Sequence, residues 1–187
     1  MSDKNTHPCP KRLNPWARTA SGLLLSLCLV LMACTTQSVR HLKQEPWILE
    51  KPQHLSTTYL RFDYVCSQSP KGLKVQGTAR PLQDGPIPEW AIWARDLWMG
   101  AYISDKSGQV LAKNVQILPS QRVDGNHPIF FTFVLHPQSM GEPGPVSISF
   151  GYRLVLAAGP KDLIQSDRNG SKQALVFFAT ESALTRF

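Results

Sequence analysis

The residue with the clearest chemical role in the sequence is Cys34, which directly follows an apolar run over residues 22–33. The leader before this run carries four basic side chains and one acidic side chain. A basic region, a short apolar region and a small residue at the cut site form the pattern of a secretory signal peptide. The run has 12 residues, whereas a membrane-spanning helix needs about 20. We therefore predict that residues 1–33 are a signal peptide.

Residues 31–34 (LMAC) are similar to the bacterial lipobox, in which a branched apolar residue, a variable residue and Ala or Gly precede a cysteine. The resemblance implies that the Cys34 thiol receives a diacylglycerol, and that cleavage frees its amine for a third acyl chain. Since each buried methylene contributes about 0.8 kcal/mol, two or three acyl chains make the attachment effectively permanent. The alternatives are an ordinary signal peptide with a chance cysteine, or an uncleaved anchor.

The residue after the cysteine bears on localisation, because lipoproteins of two-membrane bacteria are sorted by it. Thr35 stands there instead of Asp, which implies the outer membrane. The lipid bilayer, reached through acylated Cys34, is therefore one expected partner.

Charge and cysteine content limit the other partners. Removal of residues 1–33 lowers the formal net charge from +7 to +4, and the remaining Lys and Arg residues are scattered along the chain. A nucleic-acid-binding domain concentrates its basic residues on one face, so we expect no nucleic-acid partner. Cys66 is the only cysteine left besides Cys34, which excludes an intramolecular disulfide. Cys66 alternates in phase with Phe62 and Tyr64, so we predict a small buried hydrophobe and not a reactive thiol.

The mature chain is dominated by short segments in which apolar and polar side chains alternate. This period of two predicts β-strands, and Gly, Pro and Asp between the segments predict turns. The predicted strands lie near residues 59–66, 73–80, 90–104, 109–118, 129–135, 146–156 and 173–179. About seven short strands without an amphipathic helix predict an all-β fold, an antiparallel β-sandwich, with a small β-barrel as the alternative.

The predicted domain organisation has three parts. A signal peptide covers residues 1–33, a flexible lipidated tether covers 34–56, and the sandwich covers 57–187. The tether is polar and contains prolines, although we expect its apolar triplet 47–49 (WIL) to dock on the domain. In the strand at 109–118 we expect Leu111, Val115 and Ile117 to point into the core.

Chemistry other than that of Cys34 is hard to find in the sequence. Nucleophile elbows, glycine-rich phosphate loops and zinc-ligand spacings are all missing. The histidines are scattered, and the acids fall mostly at turns, where backbone capping explains them. We expect no enzyme, no metal site and no cofactor.

Aromatic side chains provide the candidate binding residues. Trp93, Trp98 and Tyr102 lie in the most apolar part of the mature chain. They are predicted as a partner-binding group, either an anchor for a protein or a platform on which sugar rings stack. The alternative is ordinary packing in the sandwich core. Trp93 and Trp98 have opposite parity, so we expect at least one of them to face outward.

Four further stretches resemble the YscW/YbaY-type lipoproteins, the group that includes pilotins of type III secretion. The stretches are residues 73–78 (LKVQGT), 86–91 (PIPEWA), 101–112 (AYISDKSGQVLA) and 127–133 (HPIFFTF). The insertion 92–97 and the long loop 159–172 depart from the family pattern.

The resemblance implies an outer-membrane lipoprotein whose sandwich faces the periplasm. A pilotin captures an exposed segment of a secretin subunit beside a sheet edge or in a groove, and carries it to the outer membrane. The expected function is thus a binding or assembly module with a secretin-like partner. A glycan- or small-ligand-binding lipoprotein and a structural accessory lipoprotein of a surface assembly stay open as alternatives.

Overall fold

The computed structural model describes residues 36–137, 145–160, 164–166 and 172–186. These residues form strands and no helix. The strands are β1 (Thr36–Ser38), β2 (Glu45–Pro46), β3 (Pro52–Ser56), β4 (Leu60–Ser69), β5 (Gly72–Pro81), β6 (Trp93–Ser104), β7 (Val110–Leu118), β8 (Gln121–Arg122), β9 (Ile129–Leu135), β10 (Ser147–Ala157), β11 (Ile164–Ser166), β12 (Lys172–Ala174), β13 (Val176–Glu181) and β14 (Leu184–Arg186). Within this described part, no helix is available that could cross a membrane.

Two antiparallel sheets build the domain. Sheet I has the order β13-β10-β6-β7, with β2 beside β10 and β8 beside β6. Sheet II has the order β3-β4-β5-β9. Alternate residues of the strands are buried, as expected when one face of each sheet packs on the other. The predicted all-β sandwich is confirmed.

Aromatic rings fill the centre of the core between the sheets. Phe62 of sheet II stacks on Phe150 of sheet I, with ring centroids 4.3 Å apart. At the edge of the core, the hydroxyl of Tyr152 forms a hydrogen bond of 2.8 Å with Oγ1 of Thr57. Phe131 also packs edge-on against Phe62. These side chains come from the alternating segments, so the period of two explains the core.

The segment 36–56 belongs to the sandwich, whereas the sequence predicts a tether there. Its strands β1, β2 and β3 pair with β14, β10 and β4, and Val39, Leu42 and Leu55 are buried. The compact unit accordingly begins at Thr36 and not at residue 57. Trp47 packs against the core, as expected of the apolar triplet. Residues 1–35, with the predicted signal peptide and Cys34, lie outside the described residues.

Strand β7 faces the opposite way from the prediction. A bulge pairs Ile103 with Ala112 but Ser104 with Val110, so the parity changes at Leu111. Ala112 is consequently buried, whereas Val115 and Ile117 are exposed. The prediction that the side chain points into the core is confirmed for Leu111, which packs against the core cluster. It is wrong for Val115 and Ile117, because an extra residue in a bulge is invisible to a simple period of two.

Polar side chains take the inward positions of β7. The side-chain amides of Asn114 and Gln116 donate to the carbonyl oxygens of Val134 and Thr132, each over 2.8 Å. These carbonyls belong to β9, the edge strand of sheet II. The free edge of such a strand has backbone acceptors that no neighbouring strand pairs with. The amides therefore close one side of the sandwich, and the aliphatic side chains of β7 face outward.

Candidate functional site

Tyr102 lies on the outer face of sheet I, at the end covered by the segments next to β1 and β14. Its ring rests on the paired residues Gly100 and Gly151. A Cβ at Gly151 would lie 2.9 Å from the Tyr102 ring, and one at Gly100 would lie 3.2 Å from its hydroxyl. Only glycine at both positions lets the ring lie this close to the sheet. Val39 and Leu42 pack against the same ring and leave it 3% exposed.

The first and last described strands help to hold the Tyr102 ring in place. Strand β1 pairs with β14, and Nε2 of His41 lies 2.8 Å from the carbonyl oxygen of Ser182. Burial raises the pKa of the Tyr102 hydroxyl above its ordinary value, and a hydrogen bond with the Ala183 backbone opposes the shift. Tyr102 was predicted as a partner-binding residue, but its ring and hydroxyl are used within the domain.

The other end of the same sheet face is open, and its exposed side chains are mainly apolar. Ile117 is paired with Trp98, and Val155 is paired with Phe178. Ile117 is 85% exposed, Phe178 60% and Val115 48%, while Trp98 is half-buried. We call this surface the apolar face, formed by Trp98, Val115, Ile117, Val155 and Phe178.

Trp93 lies on the same side of sheet I as Trp98, although the sequence gives them opposite parity. A bulge in β6 pairs Trp93 with Ala157 and Trp98 with Arg153. Because Ala157 and Arg153 are four residues apart on β10, their side chains lie on the same side of the sheet. The indole N–H of Trp93 donates to Oγ of Ser120 over 2.8 Å. Trp93 and Trp98 therefore share a face, but the polar edge of Trp93 is engaged within the domain.

Electrostatics contribute little to the apolar face. Nε of Arg153 lies 3.6 Å from Oδ2 of Asp96, and both side chains are about half exposed. Such a surface ion pair is worth about 0–1 kcal/mol. Arg153 is paired with Trp98, and Asp96 is paired with Val155. This locally neutral ion pair therefore lies within the apolar face, between Trp98 and Phe178.

The outer face of sheet II is different in character. Its outward positions on β4 and β5 are mostly polar or charged, and Asp63 contacts Arg61 and Arg80 at 3.0 and 3.4 Å. A groove of about 790 Å³ crosses this face beside His54 and Thr78. The ring of Phe130, which is 72% exposed, lines the groove. This groove is a second, more polar candidate site.

The free thiol of the described residues lies in the core and not at a surface site. Cys66 is buried, and desolvation raises the pKa of its thiol to about 12. It is therefore protonated at neutral pH, as expected of the predicted core residue. No group of three His, Cys, Asp or Glu side chains that could hold a metal ion is found within the described ranges.

Sequence reasoning found Trp98 but missed the residues around it. Val115 and Ile117 were assigned to the core because the bulge at Leu111 leaves no signal in the sequence. The exposure of Phe178 has no signal in the sequence, because apolar and polar residues alternate poorly in its strand. Comparison with known proteins gives no match to a family model, a curated protein or a solved structure.

Proposed function

We propose that the protein is an outer-membrane lipoprotein, anchored through acylated Cys34, whose periplasmic sandwich is a binding and assembly module for another protein of the envelope. The lipobox-like residues 31–34 support the anchor. The apolar face is the observation that carries the binding role. Exposed apolar side chains lie on both sides of the Arg153–Asp96 ion pair, and clustered exposed apolar surface marks interaction sites.

The composition of the apolar face favours a protein partner over a glycan. A sugar platform combines an exposed ring with polar groups that bond hydroxyls, but the neighbours of Trp98 on β7 are Val115 and Ile117. Tyr102 is covered, and the indole N–H of Trp93 already has an acceptor. Aliphatic and aromatic side chains around a half-buried tryptophan match the apolar centre of a protein interface.

The edge of sheet I offers a way for an extended partner segment to bind. Strand β13 pairs with β10 on one side, and in the described part of the chain no strand pairs with its other edge. Its sequence, VFFATE, has neither Pro nor Lys, the residues that commonly protect an edge. A partner strand added there would place its side chains beside Phe178 and the apolar face.

The resemblance to pilotin-containing lipoproteins gives the partner its most specific form, an exposed segment of a secretin subunit. Such a segment is recruited more readily when its receptor is fixed at the membrane, because anchoring raises the effective concentration of the two partners. The proposed function is thus pilotin-like: capture of a secretin subunit and its delivery to the outer membrane.

Deletion and complementation test this proposal. We expect loss of secretin multimers in a deletion strain, rescue by the wild-type gene, and no rescue by Ile117→Asp. The control is Gln68→Asp, which adds the same charge at an exposed position near the end of β4, outside the groove of sheet II. Normal multimers in the deletion strain would exclude the pilotin-like role. Full rescue by Ile117→Asp would exclude the apolar face as the binding surface.

A second candidate function is the binding of a glycan or small ligand in the groove of sheet II. The favouring observation is the exposed Phe130 ring beside the polar side chains of Asp63, His54 and Thr78. Titration with envelope glycan fragments, followed by NMR shifts of groove residues, tests it. Shifts that vanish in Phe130→Ala would support this function, and unchanged spectra would exclude it for the fragments used.

A further inference from the structure

We propose that the anchored domain lies against the bilayer through one defined surface, the basic rim of Arg40, Lys43 and Lys106, which contacts anionic phospholipid headgroups. The inference rests on the proposed acylation of Cys34. It adds an orientation to the anchor: the domain does not swing on a long tether but is held with a particular end toward the membrane.

The chain between the acylated cysteine and the domain is short. Thr35 is the only residue between Cys34 and Thr36, where β1 begins. Chain geometry limits the distance spanned by two residues to about 7 Å. An acyl group on Cys34 therefore brings the surface around β1 to the level of the headgroups.

Strand β1 is fixed to the domain on both sides. Its residues pair with β14, and Ser38 forms a bridge with Gln109. The N–H of Val39 donates to the carbonyl oxygen of Gly108 over 2.9 Å, and the Val39 side chain is fully buried. Because β1 cannot move independently, the short link to Cys34 orients the sandwich as well as holding it.

The surface next to β1 carries three positively charged side chains. Arg40 and Lys43 are exposed just after β1, and Lys106 is exposed in the turn between β6 and β7. The two segments touch, since a Cβ on Gly108 would lie 2.9 Å from the Cα of Arg40. None of the three cations forms an ion pair with a described residue.

One carboxylate lies in the same turn as Lys106 but forms no ion pair with the three cations. Asp105 is half-buried and accepts hydrogen bonds from the hydroxyl and N–H of Ser107 and the N–H of Gln109. Its negative charge offsets one of the three positive charges. The three exposed cations remain available to lipid phosphates. A basic residue near an anionic membrane strengthens attachment about fivefold.

The orientation leaves the proposed partner surface accessible. Tyr102 lies at the covered end of β6 near the basic rim, and Trp98 is four residues away along the same strand. At about 3.3 Å per residue, Trp98 lies about 13 Å from Tyr102 along the strand. A partner in the periplasm can therefore reach the apolar face while the rim contacts lipid.

Depth-dependent quenching tests this inference on the full acylated protein in vesicles. A fluorophore is attached to Ser107→Cys, beside Lys106, or to the control Asn126→Cys. Asn126 is exposed in the loop that follows β8, which pairs with the opposite end of β6. The buried thiol of Cys66 and the acylated Cys34 leave the introduced cysteine as the labelling site. The vesicles contain phosphatidylethanolamine with or without phosphatidylglycerol, and a headgroup-labelled quencher.

We expect quenching at position 107 to exceed that at 126 severalfold, and phosphatidylglycerol to increase it. The triple variant Arg40→Glu, Lys43→Glu, Lys106→Glu should lose this difference, with at least a fivefold loss of docking for each cation. Equal quenching at 107 and 126, or no effect of the triple variant, would overturn the inference.

Mass spectrometry of the N-terminal peptide separates the two levels of failure. An unmodified Cys34 would refute the proposed anchor and this inference with it. An acylated Cys34 without preferential quenching at position 107 would refute the orientation alone.

Discussion

Replacement of Tyr102 by alanine should destabilise the domain far more than replacement of its exposed neighbour Ile117. Tyr102 is 3% exposed and packs against Val39 and Leu42, which come from the N-terminal segment. Truncation of a buried aromatic side chain to alanine costs about 3–5 kcal/mol, from lost burial and the remaining cavity. Total stability of a domain is only about 5–15 kcal/mol, so Tyr102→Ala removes a large share of it.

Two further variants separate the causes of this effect. Tyr102→Phe keeps the ring on the two glycines but loses the hydrogen bond with the Ala183 backbone, which is worth about 1 kcal/mol. Ile117→Ala acts on the same sheet face, but this side chain is 85% exposed. We expect its free energy of unfolding to stay within about 0.5 kcal/mol of the wild type.

Thermal and urea unfolding of the three variants provide the assay. At about 2–4 °C per kcal/mol for a domain of this size, the Tm should fall by about 6–20 °C for Tyr102→Ala. For Ile117→Ala the fall should be about 2 °C or less. Wild-type stability of Tyr102→Ala, together with loss of secretin assembly, would refute the reasoning and restore Tyr102 as a binding residue.

Three other predictions concern a thiol, a carboxylate and a strand glycine. Cys66, with its pKa raised to about 12 by burial, should not react with a thiol reagent at pH 8 until denaturant is added. The hydrogen bond from His127 helps to lower the pKa of the Asp124 carboxyl. The ionised carboxylate therefore stabilises the fold above about pH 4, and this contribution is lost as the pH falls through the lowered value. The stability difference between wild type and Asp124→Asn, followed by urea unfolding, should shrink accordingly in acid. Gly77→Ala places a Cβ against the backbone oxygen of Asp63 and should cost about 1–3 kcal/mol. Gly125→Ala meets no atom within 4 Å and should change the urea midpoint little.

Predictions from the alternating pattern succeeded where strands are long and regular. Residues Ile148 to Leu156 of β10 alternate over the whole strand, and the apolar set is buried as expected. One side of each such strand is buried between the sheets and the other is not. The period of two in the sequence therefore directly reflects the two sides of the sheet. This regularity is why the sandwich could be predicted.

Short elements and bulges explain the failures. Strands β2 and β3 have two and five residues and contain Pro46 and Pro52, so they show no period and resemble a tether. At Leu111 and near Arg95, an extra residue reverses the parity of the strand. These two bulges decide that Ile117 and Trp93 face outward, and neither has a sequence signature.

The candidate site was only partly predictable for a related reason. Trp98 stood out because a tryptophan in an apolar strand is a common anchor, but the exposure of Ile117 depends on a bulge in another part of β7. The burial of Tyr102 depends on Val39 and Leu42, which approach from a distant segment of the chain. Contacts between segments far apart in sequence are not encoded in a local pattern.

Photo-crosslinking from position 117 in intact cells is the most direct test of the central claim, that a lipid-anchored sandwich binds an envelope protein through its apolar face. A photoreactive amino acid replaces Ile117, or Gln76 on the outer face of sheet II as the control, in the full-length protein. The account predicts a discrete adduct with a secretin subunit from position 117 and none from position 76. Secretin adducts from position 76 alone, or equal adducts from both positions, would contradict it.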